Sequence, residues 1–172
     1  MLFARGGLSP ALDVFMVMEI RNIEGQAIFS YEGDFRKAEL DDANLSGAML
    51  EKANLEGICW CGTNLSGANL KEADLYWAIL FTSNLSEANL EGAQLQGADL
   101  KEVNLGGANL RNANFGRDNL GGSTQLQGAN LMGAQIQGAV FDGAQYDDRT
   151  VFPESFDPGN HGMVFRKVDL SQ

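Results

Sequence analysis

Apolar and polar positions along this chain follow a period that belongs to neither helix nor plain strand. From residue 33 to residue 148 one large apolar side chain recurs every fifth position. These centres run from Phe35 and Leu40 to Leu120, then resume after one inserted residue at Leu126, Leu131, Ile136, Phe141 and Tyr146. Of 23 centres, 17 are Leu and the rest aromatic or Ile, while the residue two before the centre is Ala in 16. Two positions held this steadily over such a length point to a repeat architecture. A helix would space its apolar residues by about 3.6 and a strand by 2. A centre and the small residue two before it face the same way in a short extended segment, and their neighbours face outward. The chain must then turn. Gly stands two after the centre in many copies, among them Gly47, Gly57, Gly67, Gly92 and Gly97. That position suits the second central residue of a type II turn, which requires positive φ. Extended piece and turn in alternation make an all-β solenoid with flat sides.

The phrase Ala43-Asn44-Leu45-Ser46-Gly47 and its relatives Ala68-Asn69-Leu70 and Ala88-Asn89-Leu90 resemble the pentapeptide-repeat family, over about two thirds of the chain. The resemblance implies a right-handed quadrilateral β-helix in which four copies make one coil. Five to six coils, stacked at about 4.8 Å, would form a rod of about 25–30 Å. Residues 150–158, with Thr150, Phe152, Pro153, Phe156, Asp157 and Pro158, also resemble the T-x-F-P-x-x-F-D-P ending of cyanobacterial members.

Adding 20 to a residue number moves one coil along, and where one residue is inserted the step becomes 21. One column is then Asn44, Asn64, Asn84 and Asn104, whose amides can hydrogen-bond along the stack. Another is Glu51, Lys71, Glu91 and Arg111, alternating in sign. The regularity breaks at two places. Ile58 and Trp60 replace a small residue and a Leu, with Cys59 and Cys61 facing outward between and beyond them. One coil on, Ile79 lies above Cys59 and Phe81 above Cys61, with Tyr76 and Trp77 at the preceding corner. Cys59, Cys61, Tyr76, Trp77, Ile79 and Phe81 are therefore the candidate interaction patch, an apolar outer edge. The pattern favours a partner, self or foreign, over cover by the N-terminal segment. The second break is residues 116–124, where the extra residue enters and Asp118 falls on a small inward position; a surface bulge relieves a buried carboxylate.

Outside the repeat, residues 1–32 read as an N-terminal cap. Ser9-Pro10 suggests the start of a helix over residues 10–21, with Leu12, Phe15, Met16 and Ile20 on one face, ended by Glu24-Gly25. Ala27-Ile28-Phe29 reads as a short strand. Residues 149–172 read as a C-terminal capping tail in which Phe152 and Phe156 plug the core. Residues 33–148 are the β-helix between them.

Composition narrows the function. A net charge of −11 argues against direct binding of nucleic acid or anionic membrane. The reading is cytoplasmic, with no transmembrane span and no secretory signal. The two cysteines, two apart in an extended segment, are expected as free thiols. Cys59-x-Cys61 lacks a second Cys pair and a nearby His, which argues against a zinc centre. His161 is the lone histidine, no phosphate loop occurs, and no cofactor or catalytic set is expected. The chain reads as a non-enzymatic protein–protein interaction scaffold. The rival comes from the family: some members resemble DNA in shape and charge and modulate DNA gyrase. Uncharged and mixed-sign faces, and no long loop between copies, speak against it.

Overall fold

The computed structural model describes residues 3–6, 16–32 and 40–167. From Leu40 onward the chain is a four-sided parallel solenoid. Each side contributes one bridge per level, and the bridges form four columns. One column runs Asn44, Asn64, Asn84, Asn104, Asn130 and Val151; the others start at Met49, Asn54 and Cys59. The backbone bonds repeat from level to level: Leu45 N–H donates to Asn64 O at 2.7 Å, and Asn64 N–H to Ala43 O at 2.9 Å. Each corner is closed by a bond such as Ala48 N–H to Leu45 O, 3.1 Å. The residue two after the centre takes positive φ at every such corner named here, 66° at Gly47 and 64° at Gly67. This is the turn the glycines predicted.

Inside, the centres form one continuous apolar stack with the small residues between them. Ile58 and Trp60 point inward and are buried, as their register requires. Where the small position holds a hydroxyl, the oxygen is satisfied in the core: Thr63 Oγ1 donates to Leu40 O at 2.7 Å and Ser83 Oγ to Trp60 O at 2.7 Å. The last level is more open, so Ile136 and Tyr146 are only partly buried.

Two expectations need correction. The first is the N-terminal helix. Met16–Arg21 is a strand, β2, in an antiparallel sheet with β1 (Phe3–Gly6) and β3 (Ala27–Glu32). Residues 10–15 of the expected helix lie outside the described residues. Met16, Val17, Met18 and Ile20 are apolar on all sides of a helical wheel, a pattern strands also show, and Val17 and Ile20 are β-branched. Asn22 to Gln26 close the turn, with Gly25 at φ 77°. The strand read at Ala27-Ile28-Phe29 is the start of β3. This sheet joins the solenoid through Met49 N–H to Arg21 O, 2.8 Å, and through Ile20, which is buried in the same core.

The second correction concerns the inserted residue. The step across it is 26, not 21: Asn130 Nδ2 donates to Asn104 Oδ1, and Asp99 pairs with Gln125. The whole copy around Leu120 has left the coil, and Leu120 is 81% exposed. Phe115 is followed in the core directly by Leu126. A copy kept in place would have aimed Asp118 at the apolar stack, where an unpaired carboxylate is costly. Ejecting it leaves a loop of residues 117–122, closed by an antiparallel Arg117–Ser123 bridge and by Asp118 N–H to Gly122 O at 2.8 Å.

At the far end β4 (Gln145–Tyr146) pairs in parallel with β5 (Val164–Phe165). Phe152 stacks on Phe156 with centroids 5.0 Å apart, and both pack against the core. Asp147 is buried too. Its carboxylate accepts from Gly128 N at 2.9 Å, Arg149 N at 3.0 Å and the Arg149 guanidinium at 2.9 Å. Burial pushes this carboxyl up, but these bonds outweigh it and hold the group below the usual carboxylate range.

Candidate functional site

Two outer sides differ in kind. On the first, the amides form the expected ladder: Asn64 Nδ2 to Asn44 Oδ1 is 3.0 Å, Asn84 to Asn64 is 3.3 Å and Asn104 to Asn84 is 3.2 Å. Each Oδ1 also takes the N–H two residues on, as Ser46 N does at 3.2 Å. These polar groups are used up by the coil. The alternating charge column is realised at one pair only, Lys71 Nζ to Glu91 Oε1 at 3.0 Å. Their hydrogen bond raises the Lys71 pKa and lowers that of Glu91. Glu51 instead accepts from Asn69, and Arg111 donates to Gln137.

The other side carries the predicted patch. Trp77, Ile79 and Phe81 are 39%, 41% and 39% exposed, high values for large apolar side chains. Trp77 also sits in the left-handed region at φ 56°, where a bulky residue is strained. Its indole lies over the next corner, and Gly97 alone makes this possible: a Cβ there would stand 2.5 Å from Trp77 Cδ1. The ring reaches the ejected loop, and Trp77 Nε1 donates to Asp118 Oδ2 at 2.6 Å. Tyr76 does the same beside it. Its hydroxyl donates to Asn119 Oδ1 at 3.0 Å and accepts from Asn119 N at 2.7 Å. The two rings meet edge to face, centroids 4.8 Å apart. Asp118 also accepts from Leu120 N at 2.9 Å. The Trp77 bond, ahead of the backbone ones, holds its carboxyl below the usual range.

The structure thus brings the six patch residues to one edge, but pins Tyr76 and Trp77 to a segment that sequence reasoning took for a small bulge. The only signal in the sequence was Asp118 on an inward position. Residues 117–122 also make a true inserted loop, which the sequence reading did not expect. Leu120 at its tip is a fourth exposed apolar residue on this part of the rod.

At the lower end of the patch Cys59 is exposed and Cys61 half-buried, both as free thiols. Their sulfurs are 3.9 Å apart. Asp41, one coil below Cys61, accepts the Cys61 N–H through Oδ1 at 2.8 Å. Burial first, then the hydrogen bond and charge of Cys59 and the charges of Asp41 and Asp99, push the Cys61 thiol up to about 11. Among the described residues no helix is long and apolar enough to cross a membrane.

Comparison with known proteins agrees with this architecture. The family description "Pentapeptide repeats" matches in overlapping segments at residues 32–57, 50–86 and 78–117. No curated protein sequence matches. A pentapeptide repeat protein of Nostoc, alr5209, is 35% identical, with 63% of this chain and 84% of that one covered and a TM-score of 0.57. A thylakoid-lumen pentapeptide repeat protein of Arabidopsis thaliana is 31% identical over 64% of this chain and 66% of that one, TM-score 0.38. The plasmid-mediated fluoroquinolone resistance protein QnrB1 is 19% identical over 78% of this chain and 85% of that one, TM-score 0.47. The five-residue register, the four columns of bridges and the matched segments lead to one conclusion: the chain belongs to the pentapeptide-repeat family and has its right-handed quadrilateral β-helix.

Proposed function

We propose that the protein is a non-enzymatic protein-binding rod whose docking edge is Trp77, Ile79 and Phe81, bordered by the loop that carries Leu120. The observation that supports this is the exposure of three large apolar side chains at neighbouring positions where most other copies carry Gly or a polar residue. The coil does not need them, and full exposure forgoes about 1.5–3 kcal/mol of burial for each. The strained φ of Trp77 is a further cost at a corner that glycine would occupy freely. On this reading the N-terminal sheet and residues 149–172 are end caps that hide core and unpaired backbone groups, and the protein works in the cytoplasm.

The test compares wild type with the Trp77→Gly, Phe81→Lys double variant. Sedimentation over a concentration series and affinity capture with matched baits report self-association and foreign partners. We expect the variant to keep the wild-type fold and to lose an association that wild type shows. A wild type that stays monomeric and captures the same proteins as the variant overturns the reading.

Gyrase modulation by DNA mimicry is the rival. The inserted loop removes one argument against it, and the net charge of −11 is in its favour. The charge distribution still opposes it, because one side is an amide ladder and the patch interrupts the acids. We expect no effect on gyrase supercoiling at micromolar protein; a clear, salt-sensitive effect would reverse the ranking.

A further inference from the structure

Cys59 and Cys61 flank Trp60 on one extended segment, so both thiols emerge on the outer side of the coil while the indole goes in. The stacking then does something that spacing along the chain hides. It sets Asp41 directly below Cys61, with the Asp41–Cys61 hydrogen bond fixing how the carboxylate sits. One ligand atom from each of Asp41, Cys59 and Cys61 lies within 4.8 Å of the others. Two thiols alone made a poor zinc centre; the coil supplies a third donor from 20 residues away.

The separation of the sulfurs decides what chemistry they suit. A disulfide needs Cα atoms about 4.4–6.8 Å apart, and residues two apart on an extended segment stand at about 6.5–7 Å, at the far limit of that range. The sulfurs are 3.9 Å apart, and the backbone around them is held by Trp60 N to Ile79 O, Gly62 N to Phe81 O and Asp42 N to Cys61 O, each 2.9 Å. Closing the gap would pull against all three. A tetrahedral ion with metal–sulfur bonds of about 2.3 Å has sulfurs about 3.8 Å apart, which the pair already offers. Thiolate donors select zinc-like ions over magnesium or calcium, and a carboxylate completes a common type of mixed set.

We propose that Asp41, Cys59 and Cys61 are the protein ligands of a mononuclear Zn²⁺ site on the surface of the rod, with a fourth position open to water. Both thiols give up their protons to solvent as the ion binds. The Asp41 Oδ1–Cys61 N–H bond leaves Oδ2 as the metal donor and orients it, as outer bonds orient ligands in other sites. The ion ties one level of the coil to the next. It sits immediately below Ile79 and Phe81, yet its existence does not depend on their being a docking edge.

The test uses the full chain, reduced and metal-free, titrated with Co²⁺ and then Zn²⁺. We expect one Co²⁺ per chain, a thiolate-to-cobalt charge-transfer band, the intense visible bands of a tetrahedral ion, and loss of both when Zn²⁺ is added. Cys59→Ser and Cys61→Ser should each abolish the charge-transfer contribution of one thiolate and weaken binding at least tenfold. Asp41→Asn should weaken binding while keeping that band. Zn²⁺ should also protect both thiols of the wild type from alkylation, a measurement that needs no variant. No charge-transfer band, an ion-to-chain ratio other than one, unprotected thiols, or Asp41→Asn binding like wild type would each overturn the assignment.

Discussion

The side built on Asn44, Asn64, Asn84 and Asn104 and the side built on Cys59, Ile79 and Asp99 share one backbone and one core, yet they spend their side chains differently. On the first, one residue type repeats, and each amide from Asn64 to Asn104 is donor to the level before and acceptor from the level after. On the second the residue changes at each level from Cys59 through Ile79 and Asp99 to Gln125, and apolar side chains stand open to water. A column that satisfies itself serves the coil. A column whose members differ, and whose neighbours are held by a loop from 41 residues away, is shaped for something beyond it.

The largest effect should come from the core beneath both sides. Leu85→Asp puts an unpaired charge into the apolar stack and should cost at least about 4 kcal/mol, against about 0.5 kcal/mol or less for Ser86→Asp outside. Denaturant melts of the two variants check this, and similar midpoints would dissolve the distinction between inside and outside.

Next come two corner glycines. Gly67→Ala, on the corner after Leu65, meets nothing within 4 Å and should cost about 1–2 kcal/mol for its φ of 64°. Gly97→Ala pays the same backbone cost and also collides with Trp77. It should lose more stability and release the loop, seen as faster proteolysis between residues 117 and 122. Equal losses, with the loop intact, would mean that the Trp77 ring is not seated as described.

A smaller contrast sets ladder against patch. Asn84→Ala removes bonds to Asn64, Asn104 and Ser86 and should cost about 1–2 kcal/mol. Ile79→Ser should leave the melting temperature nearly unchanged. If Ile79→Ser proved the more damaging, the two sides would have the opposite roles.

The smallest effect is read by pH. The Asp118 pKa is depressed in the folded chain, chiefly by the Trp77 bond. Its contribution is complete above the unfolded value of about 3.9 and is lost as pH falls through the folded value. The indole N–H resonance of Trp77 should therefore shift below about pH 4 while that of Trp60 in the core stays put. Asp118→Asn should remove the step. A Trp77 signal as flat as that of Trp60 would show that the loop is not pinned through this carboxylate.

Most of the solenoid was legible because its rules are local. Five-residue spacing sets which side chain goes in, and a 20-residue step sets what lies above it, so the Asn ladder and the inward Trp60 could be written down from the chain. The same locality hid the rest. Nothing in a repeat says that Asp118 will find Trp77, or that an inserted residue will cost the coil a whole copy. The N-terminal misreading had a different origin: Met16, Val17, Met18 and Ile20 satisfy both helix and strand, and their partners in β1 and β3 decided the matter. The five-residue register also sends Leu120 into the core, whereas the structure leaves it 81% exposed. The donor triad at Asp41 needed the stacking to be seen.

The ejected copy says how a chain of this kind can change its length. A side of the coil accepts five residues or none, so one surplus residue could not be absorbed in place. The lattice restored its phase by expelling six. Insertions should therefore be quantised: twenty residues add a turn and leave every outer column in order, whereas any number off the five-residue beat is converted into a loop. A genetic accident of a single codon becomes a projecting segment on an otherwise smooth wall. Lineages of such rods can gain new surface features without redesigning the core.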